Sequence, residues 1–187
     1  MPETILTQDI SNIVGNSFLD YAVSGTTDRA LTNIIDGLKK KKKKILYSMW
    51  VNNLTPSANF HKCATTVGHV IGAFSPHGDI STYDALAAMS QPITMRYPLI
   101  DFNGNNGNPL DDDPPAAYRY TESKLTRIGY DMLENIDKNT VDFIPNFDNT
   151  KEEPVTLSGL IPNLLINGSS GIAVGMACNL VPHNISE

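Results

Sequence analysis

Two tyrosines, Tyr118 and Tyr120, flank Arg119 in the stretch PPAAYRYTESKL. A tyrosine hydroxyl ordinarily has a pKa of about 10, so it becomes a good nucleophile only where nearby cations favour the phenolate. Arg119 is adjacent and Lys124 and Arg127 follow, and a guanidinium can also stabilise a phosphoryl group under attack. Attack of such a tyrosine on a DNA phosphodiester would store the bond energy in a phosphotyrosine link, from which the strand can be resealed.

The triplet alone leaves two alternatives open. One of the tyrosines could be this nucleophile, or both could pack beside the start of a helix that the pattern predicts over residues 121–136. Neither spacing nor charge chooses between Tyr118 and Tyr120.

Composition limits the classes of protein to consider. The chain has 187 residues, of which 41% are hydrophobic, enough for one domain with a real core. Its net charge of −6 argues against a protein that coats nucleic acid over its whole surface. The charge is locally divided, however, because the lysine run 39–44 contrasts with the acidic run 111–113.

Several classes of site are disfavoured. Cys63 and Cys178 form no CxxC pair and have no histidine at metal-ligand spacing, so two buried free thiols and no metal site are predicted. The sequence has no P-loop pattern for ATP. No secretory signal is recognisable, and no apolar run reaches the roughly 18 residues of a membrane helix. We therefore expect a cytoplasmic protein without a membrane partner.

The elements that must position the tyrosines follow from hydrophobic periodicity. An amphipathic helix is predicted within residues 7–36, interrupted at Gly25, with a second helical segment at 28–35. The lysine run should open a helix, and two more helices are predicted at 62–74 and after Asp79 as N-cap. Strands are predicted at 96–102, 141–148, 162–168 and 171–177, with GSSG as the turn between the last two.

The two helices on either side of SPHG have the outline of a helix-turn-helix, whose second helix can enter a major groove. Helices first and mixed strands later predict an α+β domain with a winged helix-turn-helix centre.

Seven motifs occur in an order that resembles the A-type subunit of bacterial type II DNA topoisomerases, the family of DNA gyrase and topoisomerase IV. They are DRAL…DGLK (28–39), ILYSMW (45–50), SPHGD…YDALAAMSQP (75–92), RYPLID (96–101), AAYRYTESKL (116–125), TVDFIPNFD (140–148) and IPNLLINGSSGIAVGMACNLVPHN (161–184). The resemblance covers nearly the whole chain.

The resemblance implies which tyrosine reacts. In the family, the tyrosine after arginine joins the 5′ end of a cut strand, which makes Tyr120 the expected nucleophile and Arg119 its electrostatic partner. Tyr118 falls where relatives usually carry methionine and is expected to pack. His77 matches a histidine near the cleaved strand. Ile172 matches an isoleucine that enters between base pairs, where an apolar wedge can bend the duplex.

The resemblance also implies phosphate contacts from the lysine run. Lys39 matches a lysine of relatives, and Lys43 and Lys44 match two arginines that hold DNA phosphates. A lysine contacts phosphate as a point charge, without the two-pronged geometry of arginine. The other expected DNA-binding residues are Lys42, at a position that is often histidine or glutamine, and Arg29. Without the resemblance, a solvated charged face would be the usual interpretation.

Some positions depart from the family pattern. Thr32 replaces a proline, and the segment 101–107 departs from the usual DGQGNFG, so the loop before Tyr120 is altered. Ile80 replaces the serine that, with the acidic residue at Asp84, forms the usual quinolone water–magnesium bridge. An alkyl side chain accepts no hydrogen bond, so an enzyme with Ile80 is expected to resist quinolones.

The family implies a domain plan and partners. We expect an N-terminal helical arm (1–26), a winged-helix DNA-gate domain with the catalytic tyrosine (27–150), and a strand hairpin that carries the wedge and begins the tower domain (151–187), in a truncated chain. Mg²⁺ and ATP would be bound by a partner B subunit, within an A₂B₂ assembly that hydrolyses ATP and passes one duplex through another. This chain alone should cut DNA little or not at all. The alternative is a non-catalytic winged-helix DNA-binding module.

Overall fold

The computed structural model describes residues 9–186, without the side chains of Asp28 and Arg29. The predicted α+β class is confirmed, because helices are combined with small antiparallel sheets. The helices are α1 (Ile10–Ser24), a π-helix (Gly25–Ala30), α2 (Lys40–Val51), α3 (Cys63–Ala73), α4 (Asp79–Ala88), α5 (Arg127–Asp131), a 3-10 turn (Ile136–Lys138) and α6 (Asn163–Asn167). The strands are β1 (His61–Lys62), β2 (Ile100–Asn103), β3 (Glu122–Leu125), β4 (Phe143–Pro145), β5 (Glu152–Pro154), β6 (Ser169–Ile172) and β7 (Ala177–Leu180).

Helix α1 buries none of its side chains, and Asp9 caps it by accepting from the Ser11 amide. The predicted interruption at Gly25 is confirmed, since the π-helix begins there. The first eight residues of the predicted arm lie outside the described residues. The second helix predicted at 28–35 is wrong, because the chain becomes extended at Leu31 and then turns, with Gly37 in the left-handed region at φ +65°.

The core lies between helices α2, α3 and α4 and the sheet that contains β3. As predicted, the lysine run opens a helix, and its apolar members Ile45, Leu46 and Met49 are fully buried. Other buried members of this core are Val67, Val70, Leu86, Leu99, Ile100, Leu125, Met132 and Leu133. Helical periodicity therefore predicted the three central helices correctly.

Helix α4 follows α3 after a short connection, as the helix-turn-helix outline required. The N-cap prediction was wrong by one residue, because Gly78 is the N-cap and Asp79 is the first helical residue. The Asp79 carboxylate instead accepts hydrogen bonds from the Ile80 amide and from the Tyr118 hydroxyl.

The sheet next to the core has the order β1-β3-β2, and both pairings are antiparallel. Its central strand, Glu122–Leu125, lies where the sequence predicted a helix from residue 121. That prediction was wrong, because Ser123 and Leu125 point into the core and alternate with more exposed neighbours, the two-residue period of a strand. Helix α5 begins only at Arg127, after Thr126 caps it by accepting from the Gly129 amide.

The last part of the chain forms the hairpins β4–β5 and β6–β7. The strand predicted at 162–168 was wrong, since α6 occupies it. Asn163 and Asn167 lie one helical turn apart, and their side chains bind each other. Asn163 also donates to the carbonyls of residues 36 and 37, and Asn167 donates to the carbonyl and accepts from the amide of residue 97. The turn of the last hairpin is 173–176. It is not GSSG, because the last three residues of that segment begin β6. No helix within residues 9–186 is long and apolar enough to cross a membrane.

Candidate active site and nucleic-acid interface

The tyrosine loop, residues 116–121, is held by the start of helix α3. The first N–H groups of a helix have no partner within it, and here the Cys63 amide donates to the Thr121 carbonyl at 3.0 Å and the Ala64 amide to the Tyr118 carbonyl at 3.1 Å. Within the loop, the Tyr120 amide donates to the Ala117 carbonyl at 2.9 Å. The backbone of the loop is therefore fixed against α3.

Tyr83 of helix α4 fixes the same loop from a second side. Its buried ring places the hydroxyl 2.9 Å from the Thr121 hydroxyl, and it also donates to the Ala116 carbonyl. Burial raises the pKa of Tyr83, so its hydroxyl keeps its proton and remains a donor. Both ends of the tyrosine loop are thus bound to the helical core.

The two tyrosines of the loop have opposite surroundings. Tyr118 packs edge-on against Tyr83 at 5.7 Å between ring centroids, and its hydroxyl donates to Asp79 Oδ2 at 3.0 Å. This hydrogen bond to a carboxylate raises the pKa of Tyr118, which disfavours the phenolate. Tyr120 is 67% exposed, and the Arg119 guanidinium carbon lies 4.8 Å from its ring centroid. Tyr118 packs as expected, whereas Tyr120 faces solvent beside a cation.

The other cations that the sequence placed near the tyrosines are engaged elsewhere. Lys124 lies on β3, where its ammonium donates to the Pro56 and Ala58 carbonyls and covers the Phe60 ring. Arg127 pairs with Asp131 at 2.9 Å.

The structure instead brings Lys62 to the loop. Its Nζ lies 3.4 Å from the Tyr120 carbonyl oxygen and 2.9 Å from Glu122 Oε1. Sequence reasoning missed Lys62 because this contact depends on the pairing of β1 with β3, and β3 was predicted to be helical. A period-two reading of ESKL was the signal that could have found it.

The altered loop before the tyrosines is anchored by its asparagines. The Asn106 amide group donates to the Ser90 hydroxyl at 3.0 Å, and Gln91 donates to the Asn106 carbonyl at 2.6 Å. The Ala116 amide donates to the Asn105 carbonyl at 3.0 Å, which joins this loop to the tyrosine loop. Asn106, one of the positions that depart from the pattern DGQGNFG, is therefore bonded to Ser90 and Gln91.

The ammonium groups of Lys43 and Lys44 are directed into the protein. Lys43 is buried, lies 3.4 Å from the fully buried Asp36 carboxylate and donates to the Val155 carbonyl at 2.6 Å. Lys44 lies 3.0 Å from Glu153 and donates to the Phe74 carbonyl at 2.6 Å. Each lysine thus has intramolecular acceptors at the position where a phosphate contact was expected.

Lys39 and Lys42 line a cavity of about 350 Å³ between the start of α2 and the last hairpin. Its polar lining also includes Thr32, Thr94, Asn167, Ser169, Ser170 and Asn179. Burial lowers the pKa of Lys42, and the charge of Lys39 lowers it further. Two cations that share a cavity with hydroxyl and amide donors are an arrangement suited to a phosphate anion.

Helix α4 presents the other predicted positions. Ile80 is 70% exposed, and Asp84 follows four residues later on the same exposed face. His77 is exposed in the connection before α4, and its Nδ1 lies 2.9 Å from the Ser75 hydroxyl.

The start of α4 also contacts the lysine helix, because Lys41 donates to the Ser81 hydroxyl at 2.8 Å. Together with the bond from Tyr118 to Asp79, this contact brings the lysine helix, the start of α4 and the tyrosine loop together.

Ile172 ends strand β6 and is 86% exposed. The same strand packs on the π-helix so closely that a Cβ at Gly171 would lie 2.2 Å from the Ala30 carbonyl oxygen. Thr32, which stands where the resemblance implies a proline, forms a hydrogen bond with Ser169 of this strand. An apolar side chain is therefore presented to solvent from a firmly packed hairpin. The side chain of Arg29 lies outside the described residues.

Among the described residues, no three histidine, cysteine, aspartate or glutamate side chains cluster as a metal site would require. Cys63 and Cys178 are free thiols, as predicted. Cys63 is buried, but Cys178 is only partly buried, so the prediction of a buried thiol was wrong for Cys178.

The chain matches the protein-family model of the A subunit of DNA gyrase/topoisomerase IV over residues 29–187. It is 50% identical to the DNA gyrase A subunit of Thermotoga maritima over 187 residues, which are 100% of this chain and 23% of that relative. The DNA gyrase A subunit of Synechocystis sp. is 51% identical over 187 residues, 100% of this chain and 22% of the relative. A DNA gyrase A subunit of Spiroplasma citri is 49% identical over 179 residues, 96% of this chain and 78% of the relative. The chain thus spans less than a quarter of the length of the first two relatives.

Proposed function

Because the chain belongs to the family of the DNA gyrase/topoisomerase IV A subunit, we propose that it forms the DNA-binding and DNA-cleaving part of a type II topoisomerase. The observation that carries this proposal is the exposed Tyr120 beside Arg119, on a loop whose backbone is bonded to α3 and α4. A reactive group must be held in place while it stays accessible to its substrate.

Tyr120 is the nucleophile in this proposal. Its phenolic oxygen attacks a DNA phosphorus, an O–P bond forms, and the bond from phosphorus to the 3′ oxygen breaks. The phenol proton is lost to solvent, the leaving 3′ oxygen gains a proton, and the 5′ end stays on the tyrosine. Arg119 stabilises the negative charge of the phosphoryl group as it is attacked. The reverse reaction reseals the strand without an external energy source, because the phosphotyrosine link keeps the bond energy.

The duplex would approach the side of the molecule where α2, the start of α4 and the tyrosine loop meet. Helix α4 would act as the second helix of a winged helix-turn-helix, with His77 near the cleaved strand. Lys39 and Lys42 would hold phosphates at their shared cavity. Ile172 would enter between base pairs and bend the duplex. We retain Arg29 as a phosphate contact by resemblance alone, and the domain boundaries at 26 and 150 stay predictions.

Mg²⁺ and ATP would be bound by a B-type partner subunit. The groups that this chain itself would contribute are the tyrosine, the arginine and the DNA surface. The complete enzyme would be an A₂B₂ assembly that cuts one duplex, passes another through it and reseals the first.

The test combines the chain with a gyrase B-type subunit, Mg²⁺ and nicked duplex DNA. The wild type should form a covalent protein–DNA complex that survives denaturation. Tyr120→Phe should abolish it, by a factor of at least about 10³ because no oxygen remains to attack, while DNA affinity stays unchanged. Tyr118→Phe is the matched control, since it removes a hydroxyl from the same loop and should keep adduct formation within about threefold.

An adduct that persists in Tyr120→Phe would contradict the assignment. DNA binding without any adduct from the wild type would favour the alternative function, a non-catalytic winged-helix DNA-binding module.

A further inference from the structure

Three polar side chains form a row across the sheet at the end nearest Tyr120. Lys62 of β1 and Asn103 of β2 are the direct cross-strand partners of Glu122 on the central strand. Lys62 Nζ lies 2.9 Å from Glu122 Oε1, and the Asn103 side-chain amide donates to Glu122 Oε2 at 3.2 Å. One carboxylate is therefore bound from both neighbouring strands. We call these residues the carboxylate row.

The carboxylate row is connected to the tyrosine through the main chain. Glu122 follows Tyr120 by two residues, and Lys62 Nζ also lies 3.4 Å from the Tyr120 carbonyl oxygen. The residue between them, Thr121, is buried and bonded to Tyr83 and to the Cys63 amide. Movement of Tyr120 relative to β3 must therefore disturb the contacts of Lys62.

The hydrogen bonds of Lys62 and Asn103 lower the pKa of Glu122, so this carboxylate is ionised at neutral pH. An unpaired carboxylate two residues from the nucleophile would repel an approaching phosphate. The ion pair with Lys62 neutralises the negative charge of Glu122. Asn103 belongs to the segment that departs from the family pattern, so the altered segment is connected to the tyrosine by this row.

Resting on the proposed function, we propose that Lys62 is a positioning residue for Tyr120, acting through the Glu122 carboxylate and the Tyr120 carbonyl. It holds the tyrosine backbone at the edge of the sheet and keeps the adjacent carboxylate paired while the phosphate approaches. It does not touch the reacting atoms. Its contribution should be visible in the cleavage step and absent from DNA affinity.

The test uses the chain with a gyrase B-type subunit, Mg²⁺ and nicked duplex DNA, and compares Lys62→Met with the wild type. At saturating DNA, the single-turnover rate of covalent-complex formation should fall about tenfold, because small displacements of a reacting group are costly. The dissociation constant for DNA should stay within about twofold, and its salt dependence should not change. Lys62→Arg keeps the ion pair with Glu122 and should restore the rate to within about threefold of the wild type.

Three further variants test whether the slower cleavage comes from the lost ion pair and not from a general effect of the substitution on folding. Lys138→Met removes an exposed lysine whose ammonium binds Asn135, and it should leave the cleavage rate unchanged. Glu122→Gln removes the charge that Lys62 pairs with and should also slow cleavage. The double variant Lys62→Met with Glu122→Gln should be no slower than Lys62→Met, because Lys62→Met already removes the ion pair that Glu122→Gln breaks.

A weaker affinity and a salt slope reduced by about one, with an unchanged rate at saturating DNA, would identify Lys62 as a phosphate contact and overturn the proposal. Rates of Lys62→Met and Glu122→Gln equal to the wild-type rate would overturn it as well. A wild-type chain that forms no adduct would instead overturn the proposed function, and the positioning role with it.

Discussion

In the tyrosine loop the backbone is bonded inward while the Arg119 and Tyr120 side chains are exposed. In helix α2 the ammonium groups of Lys43 and Lys44 are themselves bonded inward. The difference follows from backbone geometry. A loop can bind the core through its main chain and leave its side chains free. A helix bonds most of its main chain internally beyond the first turn, and its side chains turn about 100° per residue around the axis.

Six consecutive lysines therefore cannot face one surface. The run passes around the whole circumference of α2, so some of its members must meet the core. The lysine run in the sequence predicted the start of a helix and a positive local charge. The fold decides which of these lysines remain available to bind a ligand. Lys39 and Lys42 border the cavity, whereas Lys43 pairs with Asp36. Three predictions test this division.

The largest expected effect is on stability and comes from Lys43→Met. The variant leaves the fully buried Asp36 carboxylate without its cation, and breaking a buried ion pair on one side costs about 3 kcal/mol. Urea unfolding followed by circular dichroism should show a lower midpoint with an unchanged slope. Lys42→Met is the matched neighbour and should change the free energy of unfolding by less than about 1 kcal/mol.

A second variant separates the lost pair from lost packing. Adding Asp36→Asn to Lys43→Met removes the unpaired charge. The amide oxygen can still accept from the Leu38 amide, while the Leu157 amide loses the acceptor that Asp36 Oδ2 provides. The double variant should recover part of the lost stability. If Lys43→Met unfolds like the wild type but binds DNA several-fold more weakly, Lys43 contacts DNA and does not stabilise the fold, contrary to this prediction.

Helix α4 extends the comparison, because Ile80 and Asp84 share its exposed face while Tyr83 and Leu86 are buried. In the assembled enzyme, Ile80→Ser should raise fluoroquinolone-trapped cleaved DNA about tenfold at a fixed drug concentration, since a serine hydroxyl adds one hydrogen bond. Gel analysis of trapped DNA measures the effect. Ile144→Ser changes another exposed isoleucine and should not alter trapping. Normal trapping by the wild type with Ile80 would show that the expected resistance is wrong.

The three central helices could be predicted because each carries a long apolar stripe at helical spacing. The short elements could not. β3 has four residues and becomes a strand through its two partners, while Asn163 and Asn167 form a helix that binds residues 36 and 97. Both outcomes depend on contacts distant in sequence, which override local propensity.

The candidate site also has one part that the sequence could predict and one part that it could not. Tyr120 was predicted as the nucleophile from the resemblance along the chain, and its exposure agrees with the role proposed for it. The contact of Lys62 and the inward direction of Lys43 required the strand pairing and the rotation of α2, which the sequence alone did not specify. The choice of reacting residue is thus a property of a motif, whereas the supply of nearby charge is a property of the fold.

The smallest expected effect is on DNA affinity and comes from Lys39→Ala and Lys42→Ala. Each should weaken duplex binding several-fold and lower the salt slope by about one, because one phosphate contact is lost. Fluorescence anisotropy over a salt series measures both quantities, and thermal unfolding should be unchanged.

The pH dependence of binding distinguishes the two lysines further. Burial lowers the pKa of Lys42, so its positive charge is lost earlier than that of an ordinary lysine as the pH rises, and wild-type affinity should fall with it. Lys42→Arg keeps the charge over this range, since an arginine side chain stays protonated at every pH at which the protein is folded, and should remove that part of the fall in affinity. Equal pH dependence in the wild type and in Lys42→Arg would mean that Lys42 contributes no charge to the DNA surface, and that Lys39 alone of the two supplies it.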